Sequence, residues 1–278
     1  MLGISGGLKH SGSIAKDLTD YTSLTGGSTF FAPYTNNAPF NDSYTISLWF
    51  KTSDGRQNAP SGASVTRHFC TVDSDQGTDS ALYFGIRTDG KIYMAIVANL
   101  LADGSNLSEG YLLTTSDDAL ADGAVDWTHI AATVVGGGGS NTVVAIYING
   151  RVTSVTTTSS TLTSTNHDAF ANDNGVNIGV LATYGVVKTG QGIHHGTEFI
   201  DDFAIHDAAL DATTIEAMYN SGTPIDLLTA SGSYASHDNV VLYYRFNGKY
   251  DGDALLDSHG TQNASTGMGT QFSTESAT

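Results

Sequence analysis

The sequence is short of cysteine, basic residues and glutamate, and each shortage removes a class of protein. Cys70 is the single cysteine among 278 residues, so no intrachain disulfide can form and a disulfide-stapled fold is excluded. It lies in the run HFCTV, which reads as a strand, and is expected to be a small buried side chain rather than a nucleophile. Lys and Arg number 11 against 28 Asp and Glu, a formal net charge of −17. Nucleic acid and anionic membrane are therefore excluded as expected partners, because both are held by cations that displace counterions. No apolar stretch approaches the roughly 20 residues of a membrane-spanning helix. The opening MLGISGGLKHSGS lacks the basic-then-apolar pattern of a secretory leader. The expectation is a chain that works inside the cell or leaves by another route, such as incorporation into a virus particle.

Glutamate occurs only at Glu109, Glu198, Glu216 and Glu275, so 24 of the 28 acids are aspartate. A helical protein favours Glu, because Asp competes with the helix backbone for hydrogen bonds and prefers caps and turns. Thirty-two glycines and abundant Ser and Thr push the same way. The composition describes a turn-rich β protein with an acidic surface.

The patterning agrees. Tyr44 to Lys51 (YTISLWFK) alternates Ile46, Leu48 and Phe50 with Thr45, Ser47 and Trp49, the period of a half-buried strand. Arg67 to Val72 is a shorter strand, and the first forty residues read as short strands and loops. Ala81 to Arg87 and Lys91 to Ala98 flank Thr88-Asp89-Gly90, a hairpin signal. Trp127 to Val135, Thr142 to Ile148 and Arg151 to Thr156 follow, the last two joined by Asn149-Gly150. Asn-Gly supplies the two positive-φ residues of a tight primed turn. Strands joined by such turns predict an antiparallel sandwich rather than βαβ units. One helix is expected over 212–220, capped by Asp211, with Ile215, Met218 and Tyr219 on one side and Gly222 as its stop. The expected organisation is a sandwich over 1–222 and an extension over 223–278, with one strand at 240–246 and a flexible acidic tail.

Four stretches, in order, resemble the laminin-G-like jelly rolls of the concanavalin-A-like lectin/glucanase superfamily. They are YTISLWFK, WTHIAATVV leading to VAIYINGRV, VNIGVL, and FIDDFAIHDAALDATTIEAMYNSG. The resemblance implies an all-β, two-sheet antiparallel jelly-roll sandwich. It does not fix function, because this fold hosts lectins, hydrolases, adhesion modules and virion proteins. The segment VVLYYRFNGKYDGDALLDSHGTQNAST resembles the opening of such a domain, an arrangement like that of bacteriophage structural proteins.

Glycosidases of this superfamily use a Glu-x-Asp-x-x-Glu strand, two carboxylates flanking the scissile bond. Here Glu198-Phe-Ile-Asp201-Asp202 comes closest, but it lacks the second Glu and has the wrong spacing. Asp201 and Asp202 are expected at a strand end, Glu216 on the helix, and Glu109 and Glu275 in loops. His194-His195 with Glu198 is not HExxH and reads as a Gly-rich loop, while His129 is expected to pack structurally. Trp49 reads as packing rather than a sugar platform.

Calcium is the candidate metal, since clustered Asp with Gly turns can supply its six to eight oxygens. Asp73, Asp75 and Asp79 form one set, and Asp251 and Asp253, with Asp257 nearby, form another. The resemblance adds Asp202, where such jelly rolls carry calcium near the closing strand. Turn formation alone also accounts for Asp, Gly and Ser in these clusters. The expected role is a non-catalytic surface or adhesion protein of a virion, as capsid decoration, head fibre or tail component, with surface polysaccharide as a candidate ligand. Self-association and docking on capsid or tail proteins are the candidate protein contacts. The alternative is an extracellular lectin module, and a glycoside hydrolase ranks below both.

Overall fold

The computed structural model describes residues 22–24, 29–32, 43–52, 65–73, 81–87, 89–100, 107–121, 125–136, 142–159, 176–179, 198–245, 250–251, 254–260 and 262–266. The chain enters with β1 (Thr22–Leu24), β2 (Thr29–Ala32), β3 (Tyr44–Thr52) and β4 (Val65–Asp73). Next come β5 (Ala81–Arg87), β6 (Lys91–Leu100), β7 (Leu107–Ala119), β8 (Val125–Val135) and β9 (Val143–Ile148). β10 (Arg151–Val152), β11 (Val155–Ser159), β12 (Val176–Gly179) and β13 (Glu198–His206) lead to α1 (Ala212–Tyr219). β14 (Val240–Tyr244), β15 (Tyr250–Asp251), β16 (Ala254–Leu255) and β17 (Ala264–Thr266) close the fold.

Antiparallel pairing gathers these strands into two sheets, a jelly-roll sandwich. The 7-stranded sheet runs β1-β13-β3-β8-β9-β10, with β14 also paired to β13. The 10-stranded sheet runs β11-β7-β6-β5-β4-β12-β2-β17-β16-β15. The period-two pattern has the effect it predicts: Ile46, Leu48 and Phe50 of β3 share one buried cluster with Leu82, Phe84 and Ile86 of β5. Phe69 of β4 bridges the sheets, with its ring 5.0 Å from Phe50 and 5.4 Å, edge-on, from Phe84. Cys70 lies in the same core, and burial pushes its thiol pKa far up, so it stays protonated and inert.

Two turns anchor the architecture. Gly90 takes φ 80 between β5 and β6, while Asn149 and Gly150 take φ 50 and 76 between β9 and β10. The second turn also grips β8: the Asn149 Oδ1 accepts from the His129 N–H at 3.0 Å, and the Asn149 N–H donates to the His129 carbonyl at 2.8 Å. The Trp-x-His strand and the Asn-Gly hairpin are thus one bonded unit.

The structure departs from the sequence reading at several places. The run expected as a single strand from Arg151 to Thr156 divides, with β10 on β9 in one sheet and β11 on β7 in the other. The buried Thr153 makes the crossing, donating its N–H to the Ile146 carbonyl at 2.9 Å, and next to it the Ser154 carbonyl accepts from Asp117. Glu109 lies in β7 rather than in a loop. The helix ends at Asn220 in the left-handed conformation, φ 44, two residues before the glycine expected to stop it. The strand expected over 240–246 ends at Tyr244.

The segment read as an extension from residue 223 onward supplies β14 to one sheet and β15 to β17 to the other. Leu242 and Tyr244 lie in the same buried cluster as Ile46. The expected tail from 267 onward lies outside the described residues.

A second buried cluster lies on the outer face of the 7-stranded sheet. Leu210, Ile215, Met218, Ile225, Leu227 and Tyr234 pack there on Ala131, Tyr147, Ala204, Val240 and Tyr243. The first six belong to residues 207–239, the excursion between β13 and β14 that contains α1. Asp211 caps α1 by accepting from the Thr214 N–H at 2.7 Å, as expected of Asp at this position. An eight-residue helix holds its shape through such packing, and this one lays Ile215 and Met218 onto the sheet.

Candidate functional site

Beneath this cover, β13 breaks its pattern. Its register on β3 shifts between Asp201 and Ala204, and Asp202 adopts φ 49. The Asp202 N–H donates to the Asp201 Oδ1 at 2.8 Å, fixing the bulge locally. Two adjacent carboxylates result, 0% and 3% exposed, in the middle of the strand rather than at its end. Burying carboxylates costs heavily unless they accept hydrogen bonds. Asp202 Oδ1 accepts one from the Tyr243 hydroxyl at 2.7 Å. Burial first, and then the Asp202 charge, push the Tyr243 pKa well up, so the phenol remains a donor. Arg245 stands over the Tyr243 ring at 5.8 Å and pairs with Asp226 at 3.2 Å. Burial would lower the Arg245 pKa, but Tyr243 and the Asp226, Asp202 and Asp201 carboxylates outweigh it and raise it.

Two histidines share the face. His129, 2% exposed, lies 5.3 Å from the Trp49 ring and 6.4 Å from the Tyr219 ring of α1, and Tyr219 also stacks on Trp49 at 5.9 Å. His206 is fully buried, with its Nε2 3.0 Å from the Tyr234 hydroxyl. That hydroxyl donates its one proton to the Leu227 carbonyl at 2.8 Å, so Nε2 must carry the proton it shares with Tyr234. Burial lowers both histidine pKa values to about 3, leaving neutral rings at neutral pH.

Ser47, Trp49, His129, Asp202, Met218, Ile225 and Leu227 line a cavity of about 10 Å³. That is room for a single water and no more. The carboxylate pair nearest to a glycosidase motif is therefore closed to a sugar. Trp49, 3% exposed, is packing as expected, and His129 is a packed strand residue.

Asp202 already has one carboxylate oxygen bonded within the protein. Its Oδ1 is engaged by Tyr243, and calcium takes six to eight oxygens. Among the described residues no group of three or more His, Cys, Asp or Glu is placed to hold a metal ion. Asp73 ends β4 and Asp251 ends β15, but their side chains, with Asp75, Asp79 and Asp253, lie outside the described residues. So do His194, His195 and Glu275, while Glu198 opens β13 at its far end. Asp257, grouped with Asp251 and Asp253 on sequence, spends its carboxylate on backbone. Its Oδ1 accepts from Tyr243 at 3.1 Å and His259 at 3.0 Å, and its Oδ2 accepts from Gly260 at 3.0 Å and Gln262 at 3.4 Å.

Sequence reasoning passed over Trp127, the other tryptophan. It lies two residues before His129 on β8 and is half-buried. The Lys51 ammonium of β3 stands 6.0 Å from its ring centroid. The signal was available: in WTHIAATVV the Trp stands two residues before His129, which bonds to the Asn149 turn.

With this fold and face in view, the class of protein is settled. The chain belongs to the concanavalin A-like lectin/glucanases superfamily, whose Laminin_G_3 model matches residues 25–216. Among curated proteins, none matches the sequence. Of solved structures, it is similar at 12% identity and TM-score 0.51 to a *Bacteroides ovatus* protein provisionally assigned to carbohydrate binding. That match covers 89% of this chain and 58% of the other, so the chain spans little more than half the length of that protein. The native heptameric SAP-like pentraxin of Limulus polyphemus is similar at 13% identity and TM-score 0.48, over 91% of this chain and 97% of that one. The CBM40 of the Ruminococcus gnavus IT-sialidase is similar at 12% identity and TM-score 0.43, over 71% and 96%.

Proposed function

We propose that this chain is a non-catalytic, glycan-binding sandwich displayed on a particle surface, such as that of a bacteriophage virion. The observation that carries the reading is the closure of the face bearing Asp201 and Asp202. A hydrolase of this fold needs two carboxylates facing a sugar, and here both are buried and Asp202 has room beside it for one water. Membership in a superfamily that includes lectins is compatible with glycan binding.

Trp127 with Lys51 is the contact among the described residues that best suits a saccharide. An indole face stacks on the C–H face of a sugar ring, and an ammonium donates to its hydroxyls. The net charge of −17 favours solubility.

The test is a glycan array run with and without calcium. The wild-type chain is expected to retain a set of glycans, and Trp127→Ala to weaken them at least tenfold, about 1.4 kcal/mol. An array with no hits in either condition contradicts the reading.

A further inference from the structure

Residues 207–239 leave the sheet at one strand and return at its neighbour. His206 of β13 is paired with Val240 of β14, the Asp207 N–H donates to the Asn239 carbonyl at 2.9 Å, and the Asn239 side-chain amide donates to Asp207 Oδ1 at 3.0 Å. The excursion is therefore closed at its base by the sheet itself. Lifting it breaks no strand pair, only side-chain ties such as Thr45 Oγ1 of β3, which donates to the Ala208 carbonyl at 2.7 Å and accepts from the Leu210 N–H at 2.9 Å.

Each half of it rests on a buried histidine. The α1 half sets Tyr219 over His129 and Trp49. The half after α1 sets Tyr234 on His206, through the hydrogen bond that continues to the Leu227 carbonyl. We propose that residues 207–239 form a lid that opens in mild acid, when His129 and His206 take up protons and are drawn into water. Opening bares Trp49, Tyr147 and Tyr243 on the sheet face while the sandwich core stays folded.

The surroundings of the two rings leave burial as the cause of both shifts. Across the small cavity His129 faces Asp202 of β13, with Ser47 and Trp49 contributed by β3 and Met218 by α1, none of those three charged. Glu216 of α1 and Arg151 of β10 are exposed to solvent. Around His206 the lid contributes Tyr234, whose hydroxyl also feels Asp226, and β3 pairs Thr45 against it. Asp226 is itself held by Arg245, and Asp207 is exposed. Burial lowers both rings and holds their pKa values at about 3 against the usual 6.5.

The sign follows. Between these values the open form binds protons that the closed form refuses, so closure is complete above about pH 6.5 and weakens as pH falls. Each histidine shifts the ratio about tenfold per pH unit, which is about thirtyfold at pH 5 and about a thousandfold for the pair.

Hydrogen exchange of the full chain at pH 7.5 and pH 5, corrected for intrinsic rates, tests this while staying above the isoelectric point of about 4.5. Peptides within 207–239 are expected to lose about a thousandfold of protection at pH 5, with β3 and β8 still protected. A His129→Gln/His206→Gln variant is expected to lose the pH dependence, whatever its lid protection at pH 7.5. The proposal is overturned if lid peptides keep their protection at pH 5, or if lid and β3 lose it together.

Discussion

Replacing Gly150 with alanine is expected to cost about 3 kcal/mol, far more than the same change at Gly232. Both glycines have positive φ, 76 and 58, so both substitutions incur the left-handed penalty of roughly 1 to 2 kcal/mol for an L side chain. At Gly232 nothing lies within 4 Å of the new methyl. At Gly150 it meets Tyr219 Cβ at 2.9 Å and the Glu216 Cα at 3.1 Å, on the helix itself. Neither atom is the far end of a flexible side chain, so α1 must move, and overpacking of this kind adds about 1 to 3 kcal/mol. Thermal melts of the two variants are the check. Gly150→Ala is expected to lower the Tm by about 6 to 12 °C and Gly232→Ala by about 2 to 8 °C, with Gly150→Ala the larger of the two when measured side by side. Equal shifts would mean that the helix does not rest on the hairpin turn.

Asp257→Ala is expected to have an effect of similar size, about 4 kcal/mol, because one carboxylate satisfies four backbone N–H groups. Those bonds fold the Asp257-Ser258-His259-Gly260 turn against β14, where the Ser258 N–H also reaches the Tyr243 carbonyl at 2.7 Å and the Tyr244 hydroxyl donates to the Gln262 carbonyl. Asp257→Asn keeps one acceptor oxygen and is expected to lose about half as much. Urea unfolding of both variants separates the two. If Asp257 were instead a calcium ligand, chelator would destabilise the wild-type chain to the level of Asp257→Ala; here chelator is expected to change nothing at this position.

The strands that were legible in the sequence carry their reasons locally. β3 alternates Ile46, Leu48 and Phe50, and the Asp89-Gly90 and Asn149-Gly150 turns state their own geometry. β7 was missed because its middle is polar: Thr114, Thr115 and Ser116 are buried hydroxyls. Their hydrogen bonds hide the cost, with Ser116 Oγ accepting from the Ile92 N–H at 2.9 Å and Thr114 bonded to Thr157 at 3.0 Å. The crossing at Thr153 was illegible because residues on both sides of it are equally extended, and only the pairing partners differ.

The site was half legible. Asp201, Asp202, Trp49 and His129 stood out by residue type. The excursion that closes over them did not, since Ile225, Leu227 and Tyr234 follow no period. His206 carried no signal of its own, because its role depends on Tyr234, 28 residues away.

The aromatic and acidic face of the 7-stranded sheet is closed to solvent at neutral pH. Acrylamide quenching of a Trp127→Phe variant measures this directly, since Trp49 is then the sole tryptophan. Trp49 fluorescence is expected to be nearly unquenched at pH 7.5, as befits a ring 3% exposed. Quenching as strong as that of free tryptophan would show an open cleft beside Asp202, and with it a face able to admit substrate.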